Sequence, residues 1–229
     1  MSDLQQRYIK AVEAFIEILD VYSSPIISFE GMDNQGKSTI SRELEQSLSG
    51  YGYDTALLRA PGSTPMGEKI RSLVKDINLE RTPETELLLF MAAQTQQAKE
   101  IQRLSEEGCI VILDRFMDST YVYQRKTLNK ERRTMIDSFI PEEALPQVVV
   151  ILQGNPSPRQ ISLNDKFDAA SETEQQELQE AWDSYESPHA ITLRVNVSTN
   201  ITETLCDVIE QLTSAFNSLL HWEAPTSLN

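Results

Sequence analysis

Residues 31–38 read Gly-Met-Asp-Asn-Gln-Gly-Lys-Ser, with a lysine and a hydroxyl directly after the second glycine. Those types at that spacing suit a phosphate chain. Gly31 and Gly36 let the backbone turn tightly, so that the consecutive N–H groups of Gly31, Met32, Asp33, Asn34, Gln35 and Gly36 face phosphate oxygens. A helix opening through Lys37, Ser38 and Thr39 adds its positive end to that field. Lys37 reaches the β- and γ-phosphates of a nucleotide such as ATP, and Ser38 offers its hydroxyl to Mg2+. As a loop residue, Lys37 is expected to make little core contact. A chance match in a βα turn is the bland account, and the surroundings of the loop decide between the two.

Three further stretches could serve the same chemistry. "LDRF" (113–116) closes an apolar run. Asp114 there can hold a Mg2+-bound water, and Arg115 can clamp an oxyanion bidentately; an Asp–Arg ion pair closing a strand is the alternative. Arg59 ends "TALLR" just before a Pro-Gly turn, posed for a second phosphate contact or else simply solvated. In "LLLFMAAQTQQ" (87–97), Phe90 and Gln94 stand four apart on one helical face. An aromatic plane and an amide one turn later can stack a base and read its edge, with core packing of Phe90 as the competing account.

The elements that must position these groups alternate. "IISF" (26–29), "TALLR" (55–59), "CIVIL" (109–113), "QVVVIL" (147–152) and "AITLRVNV" (190–197) are predicted strands. The continuous β-branched runs of the last three are the pattern of strands buried on both faces. Between them the spacing predicts helices over 38–50 and 67–76, a long one opened by Thr82 and Pro83 and closed near Gly108, and a last one over about 200–220. "SETE" at 171–174 is a capping box. Leu4, Tyr8, Val12, Phe15, Leu19 and Tyr22 form one apolar stripe on an N-terminal helix, expected to pack on its own domain in preference to a partner subunit. Five strands alternating with helices predict an α/β fold with a parallel sheet covered on both faces.

The whole chain has 229 residues and a formal net charge of −15, so a polymeric nucleic acid is not an expected partner. A small anionic ligand remains compatible wherever local cations and N–H groups face it. Cys109 and Cys206 lie in apolar runs and are expected as buried reduced thiols, and His189 and His221 make no zinc spacing. The polar start "MSDLQQRYIK" is not a secretory signal, and no apolar stretch approaches the roughly 20 residues that span a membrane. A cytoplasmic location is the expectation.

In order, "FEGMDNQGKST", "RAPGSTPMGEKIRSL", "ELLLFMAAQTQQ", "VILDRFMDSTYVYQ" and "LPQVVVIL" resemble thymidylate kinase, of the P-loop nucleoside monophosphate kinase class. "DKFD" (165–168) and "RVNVS" (194–198) are weaker echoes, and the similarity covers about residues 26–220. The resemblance implies a P-loop NTPase-type three-layer α/β/α fold with a five-stranded parallel sheet. Residues 1–24 would be an added helical extension, 25–220 the kinase domain with a lid at about 154–170, and 221–229 a tail. It implies transfer of the ATP γ-phosphoryl group to dTMP with Mg2+. Lys37 and Ser38 would serve the donor, with Asp33 between donor and acceptor. Arg59 and Arg115 would hold the acceptor phosphate, and Phe90 would stack on the pyrimidine. Thr120 would face its N3 edge, Tyr123 would crowd the sugar 2′ position, and Gln124 would complete the substrate site. Asp114 would join Ser38 in the metal's shell. Members of this family are similar in forming homodimers through helices beside the sheet.

The sequence departs from the family at several points. Gln94 stands where the family usually has an arginine that reads the base. The glutamine NH2 is expected to donate to thymine O4, while its carbonyl could accept from cytosine N4. The loop carries Asn34 and Gln35 without an extra arginine, and the lid offers only Arg159 and Lys166. Ala60 and Ser63 replace the residues of the usual R-E-P-G-G pattern. Arg159, counted with the expected catalytic residues, Lys166, Arg125 and Lys126 are the candidates for a transition-state cation, and the sequence does not choose among them. The competing functional readings are a kinase for dUMP, a 5-substituted dUMP or dCMP, a deoxynucleoside kinase, and a nucleotide-binding protein without turnover.

Overall fold

The computed structural model describes residues 1–154 and 171–221. The expected lid cations Arg159 and Lys166, the "DKFD" echo and the tail lie outside the described residues.

Five strands form one parallel sheet: β1 (Ile26–Glu30), β2 (Thr55–Arg59), β3 (Ile110–Asp114), β4 (Val148–Gln153) and β5 (Ile191–Asn196), in the order β2-β3-β1-β4-β5. All of β1, and β4 up to its last residue, are buried, as runs such as Val148–Leu152 with apolar side chains on both faces require. β3 and β4 sit one residue later than their apolar runs, and Cys109 is accordingly half-buried at the entry to β3. The register sets Phe29 beside Asp114, and Arg59 on the other side of Asp114. The strand ends that carry the candidate residues therefore meet at one edge, where β1 gives way to chains running off to both sides. Ligands gather at such switch points in open α/β sheets.

Eight α-helices cover the sheet among the described residues: α1 (Asp3–Leu19), α2 (Lys37–Gly50), α3 (Pro65–Lys75), α4 (Pro83–Glu106), α5 (Met117–Tyr123), α6 (Lys130–Asp137), α7 (Glu172–Asp183) and α8 (Ile201–Leu220). One core joins α1, α2 and α8 to the sheet through Val12, Phe15, Leu44, Val150, Leu212 and Phe216. The other face is filled by Leu87, Met91, Ile101, Leu113, Phe116 and Ile136 under α4 to α6.

The stripe on α1 packs within its own chain. Phe15 and Tyr22 meet the ring of Phe216 with centroids 6.0 and 4.9 Å apart. Arg7 fixes the outer edge by pairing with Asp207 and Glu210, both at 2.6 Å. That rim is partly solvated, so the apolar seam supplies most of the attraction. α3 starts two residues earlier than its periodicity predicts, because Thr64 caps it by accepting from Gly67 N–H at 2.9 Å. Gly67 has to be glycine here, since a Cβ would lie 2.7 Å from the Gly62 carbonyl oxygen. The capping box on α7 forms as Ser171 and Glu174 exchange bonds.

Candidate active site

The loop leaves β1 at Gly31, where φ is 123° and a Cβ would sit 2.6 Å from the Leu152 carbonyl oxygen. Only glycine fits that approach. Asn34 at φ 64° and Gly36 at φ 79° complete the turn, and α2 begins at Lys37 with no side-chain cap on its first N–H groups. Gln35 is buried beneath the loop, and Thr39 N–H returns to the Gly36 carbonyl at 3.0 Å.

Lys37 departs from expectation. It is 5% exposed, folded back so that Nζ donates to the Met32 carbonyl at 2.5 Å. Burial, then the nearby Arg115 cation, lowers its pKa to about 7, against the opposing pull of Asp33, Asp114 and Glu30. The reason is geometric: the tight loop wraps its own lysine, and the charge faces the space the turn encloses. Ser38 Oγ donates to Asp114 Oδ2 at 2.5 Å across from β3. A serine hydroxyl and a carboxylate side by side are hard oxygen donors, the set Mg2+ takes when phosphates and water complete its shell.

Arg115 links this loop to the neighbouring cavity. It adopts φ 74°, a strained region for a non-glycine residue of the kind that clusters at functional sites. One guanidinium nitrogen donates to Asp33 Oδ1 at 2.7 Å and to the Tyr123 hydroxyl at 3.2 Å; the other donates to Ser119 Oγ at 2.7 Å. The guanidinium carbon lies 5.1 Å from the centre of the Tyr123 ring. Burial pushes the Tyr123 hydroxyl pKa up to about 12, so it stays a neutral phenol.

The cavity encloses about 250 Å³. Asp33, Asn34, Arg115 and Tyr123 line one end, Phe90, Gln94, Thr120 and Gln124 the rest, with Pro61, Arg71 and Lys75 along the α3 side. Phe90 is half-buried, packed on Ile70, Val74 and Ala93 while also bordering the cavity, so neither account of it excludes the other. Arg59 does not line the cavity. Its guanidinium pairs with Glu68 at 3.0 Å instead. Arg71 and Lys75, four apart on α3, hold the cationic places on that side, and Arg71 Nη1 donates to the Pro61 carbonyl at 3.0 Å. Their i, i+4 spacing inside "GEKIRSLVK" was the available signal.

Gln94 is oriented opposite to expectation. Its Nε2 donates to the Phe116 carbonyl at 3.0 Å and to Thr120 Oγ1 at 2.8 Å, while its Oε1 has no hydrogen-bond partner. A backbone carbonyl can only accept, so the amide cannot flip. The NH2 expected for thymine O4 is committed inside the protein. Glu30, absent from the expected site, is fully buried and takes bonds from Ser28 Oγ at 3.0 Å, Phe116 N–H at 2.7 Å and Ser119 Oγ at 2.6 Å. Burial, then the neighbouring Asp118, raises its pKa. Arg125 and Lys126 both reach Glu177, at 3.4 and 2.6 Å.

A family model described as thymidylate kinase matches residues 29–204. The chain belongs to the thymidylate kinase family. Among curated members, the thymidylate kinase of Thermoanaerobacter sp. (strain X514) is 41% identical over 133 residues, 57% of this chain and 66% of that protein. That of Dinoroseobacter shibae is 46% identical over 116 residues, 50% of this chain and 56% of that protein. The chain thus spans less than two thirds of these relatives' own lengths. The thymidylate kinase structure from Ehrlichia chaffeensis superposes with a TM-score of 0.64 at 24% identity, over 83% of this chain and 100% of that one. The one from Candida albicans gives 0.63 at 22% identity, over 84% and 94%. At such identities the structures speak for the fold, and the family rests on the sequence match.

Proposed function

We propose that this protein transfers the γ-phosphoryl group of ATP to a pyrimidine deoxynucleoside 5′-monophosphate, dTMP first, giving dTDP and ADP. The observation that carries the reading is the contact between Arg115 and Asp33. It ties a cavity sized for one small ligand to the loop built for a polyphosphate, with Lys37 at the seam. A cavity of about 250 Å³ lies just below the roughly 300 Å³ at which ordinary ligand sites begin, so it suits one small ligand. Membership of the thymidylate kinase family supports the same substrates.

Phosphoryl transfer is mostly positioning and charge stabilisation. In this reading the loop N–H groups and Lys37 grip the donor phosphates, and an anion there restores the charge that burial discourages on Lys37. Arg115 binds the acceptor phosphate, and Asp33 holds that guanidinium toward the donor side. Phe90 stacks the base, and the Tyr123 ring closes the sugar end. Ser38 and Asp114 would hold Mg2+, which when bound supplies charge neutralisation between the phosphates. A cytoplasmic location and a homodimer belong to the same proposal, the dimer supported by the exposed apolar side chains of Leu88 on α4, Met135 on α6 and Phe139 just after it.

The test is ADP release with ATP and Mg2+ against a panel of nucleosides and nucleoside monophosphates. Turnover with dTMP and none with thymidine is the expected result. A best acceptor without a 5′-phosphate, or a purine monophosphate, would replace this reading.

A further inference from the structure

The carboxylate of Glu30 lies behind the cavity and does not line it. It nevertheless touches two groups that set where Arg115 points. Glu30 Oε1 accepts the backbone N–H of Phe116, the residue directly after the strained Arg115, at 2.7 Å. Its Oε2 accepts the Ser119 hydroxyl at 2.6 Å, and the same Ser119 oxygen accepts from Arg115 Nη1 at 2.7 Å. Because the serine proton goes to Glu30, the serine oxygen presents its lone pair to the guanidinium. The remaining side of the guanidinium is held by Asp33.

We propose that Glu30 is a positioning residue for acceptor binding, acting through Ser119 and the Phe116 amide to hold Arg115 in its left-handed backbone conformation and aim its guanidinium at the acceptor phosphate. This rests on the dTMP kinase reading of the cavity. Two features of the geometry support it. A guanidinium is a rigid fork, so anchoring one nitrogen on Ser119 and the other on Asp33 fixes the plane presented to a phosphate. Phe116 opens α5 without a side-chain cap of its own, and its N–H would be left buried and unpaired without Glu30. A carboxylate accepts from both directions at once; a glutamine in its place would turn a donor toward Ser119 and compete with Arg115 for the serine oxygen.

The experiment is a double-mutant cycle on the full chain. KM for dTMP, KM for ATP and kcat are measured for Ser119→Ala, Glu30→Gln and the pair, alongside calorimetric binding of dTMP in the absence of ATP. Each single change is expected to raise KM and Kd for dTMP about tenfold, with KM for ATP within about twofold. The pair should be no worse than the weaker single variant, and Ser119→Thr, which keeps the hydroxyl, should return to parent values. Additive losses, or equal losses for ATP and dTMP, would overturn the relay. Should Glu30→Gln fail to fold, Ser119→Ala against Ser119→Thr decides: equal dTMP affinity in the two sinks the proposal. A parent protein that binds no nucleoside monophosphate refutes the kinase reading and this inference with it. A parent that binds dTMP normally while the variants match it refutes the inference alone.

Discussion

The two ends of the cavity are built on different principles. At the end next to the glycine loop, Asp33 and Arg115 line the cavity with Lys37, Ser38, Asp114 and Glu30 outside its lining, and these charged or polar groups are bonded to one another and to neighbouring protein groups. Charges taken out of water are tolerable only when paired, so this end must be organised before any ligand arrives. At the other end, Phe90, Gln94 and Thr120 are neutral, with Arg71 and Lys75 along the α3 side, and the Gln94 amide oxygen has no hydrogen-bond partner. On the proposed function, a pre-ordered charged end would govern how fast phosphate chemistry runs. On the same reading, the neutral groups at the other end would govern which base is admitted, and by smaller energies.

The largest expected effect therefore lies at the charged end. Lys37→Ala should lower kcat by about 10³ with the monophosphate KM little changed, as loss of a preorganised charge on a transferring phosphoryl group does. Unlike a solvated loop lysine, Lys37 is buried, so the melting temperature must be recorded alongside; parent-like turnover at saturating ATP would erase the distinction between the ends. Arg115→Ala comes next. It should raise the dTMP KM by about 10² while the ATP KM moves far less, because the fork faces the acceptor cavity. Equal rises in both constants would mean that Arg115 only holds the loop together.

The same contrast describes what the sequence made legible. β3 and β4 were found because runs such as "QVVVIL" are apolar on both faces, whereas β5, read the same way, is mostly half-buried because it is an edge strand; the loop was found because glycine, lysine and serine types at fixed spacing carry their own chemistry. The starts of α5 and α6 were not, since α5 turns Ser119 and Thr120 toward the cavity and no apolar period marks it. The burial of Lys37 and the pairing of Arg59 with Glu68 depend on contacts closed only by the folded loop. The direction of Gln94 was beyond reach for the same reason: it is set by the Phe116 carbonyl, 22 residues along the chain.

That direction yields the next prediction, at the neutral end. With its NH2 committed, position 94 offers no donor to a base carbonyl, and the free atom of the amide is an acceptor. Preference for the 4-oxo base of dTMP over the 4-amino base of dCMP should be modest in the parent. Gln94→Arg supplies donors that oppose an amino group, and should raise the dTMP-to-dCMP ratio of kcat/KM by about tenfold, the low end of what one charge-assisted hydrogen bond is worth. A ratio that stays put while dTMP is still phosphorylated would show that Gln94 does not meet the base.

The smallest effect separates the ends by pH. Glu30 has its pKa raised from an ordinary 4.5 to about 7 by burial and then by Asp118, and burial raises Asp118 as well. A carboxyl whose folded pKa lies above its unfolded value holds more protons in the folded state across that interval. Its contribution to stability is then fully present below about pH 4.5 and is lost as pH rises through about 7. Glu30→Gln cannot titrate, so the variant should lose less stability than the parent between pH 5 and pH 7.5, read as urea midpoints in the absence of nucleotide, with both values compared in the same buffers. The difference between the two slopes reports this carboxyl together with the Asp118 whose charge raises it. Gln94→Leu, at the end with no ionisable side chain in its bonds, should leave the parent slope unchanged whatever it does to absolute stability. If Glu30→Gln and the parent run parallel across that interval, Glu30 is ionised throughout and the charged end holds its carboxylate without a proton.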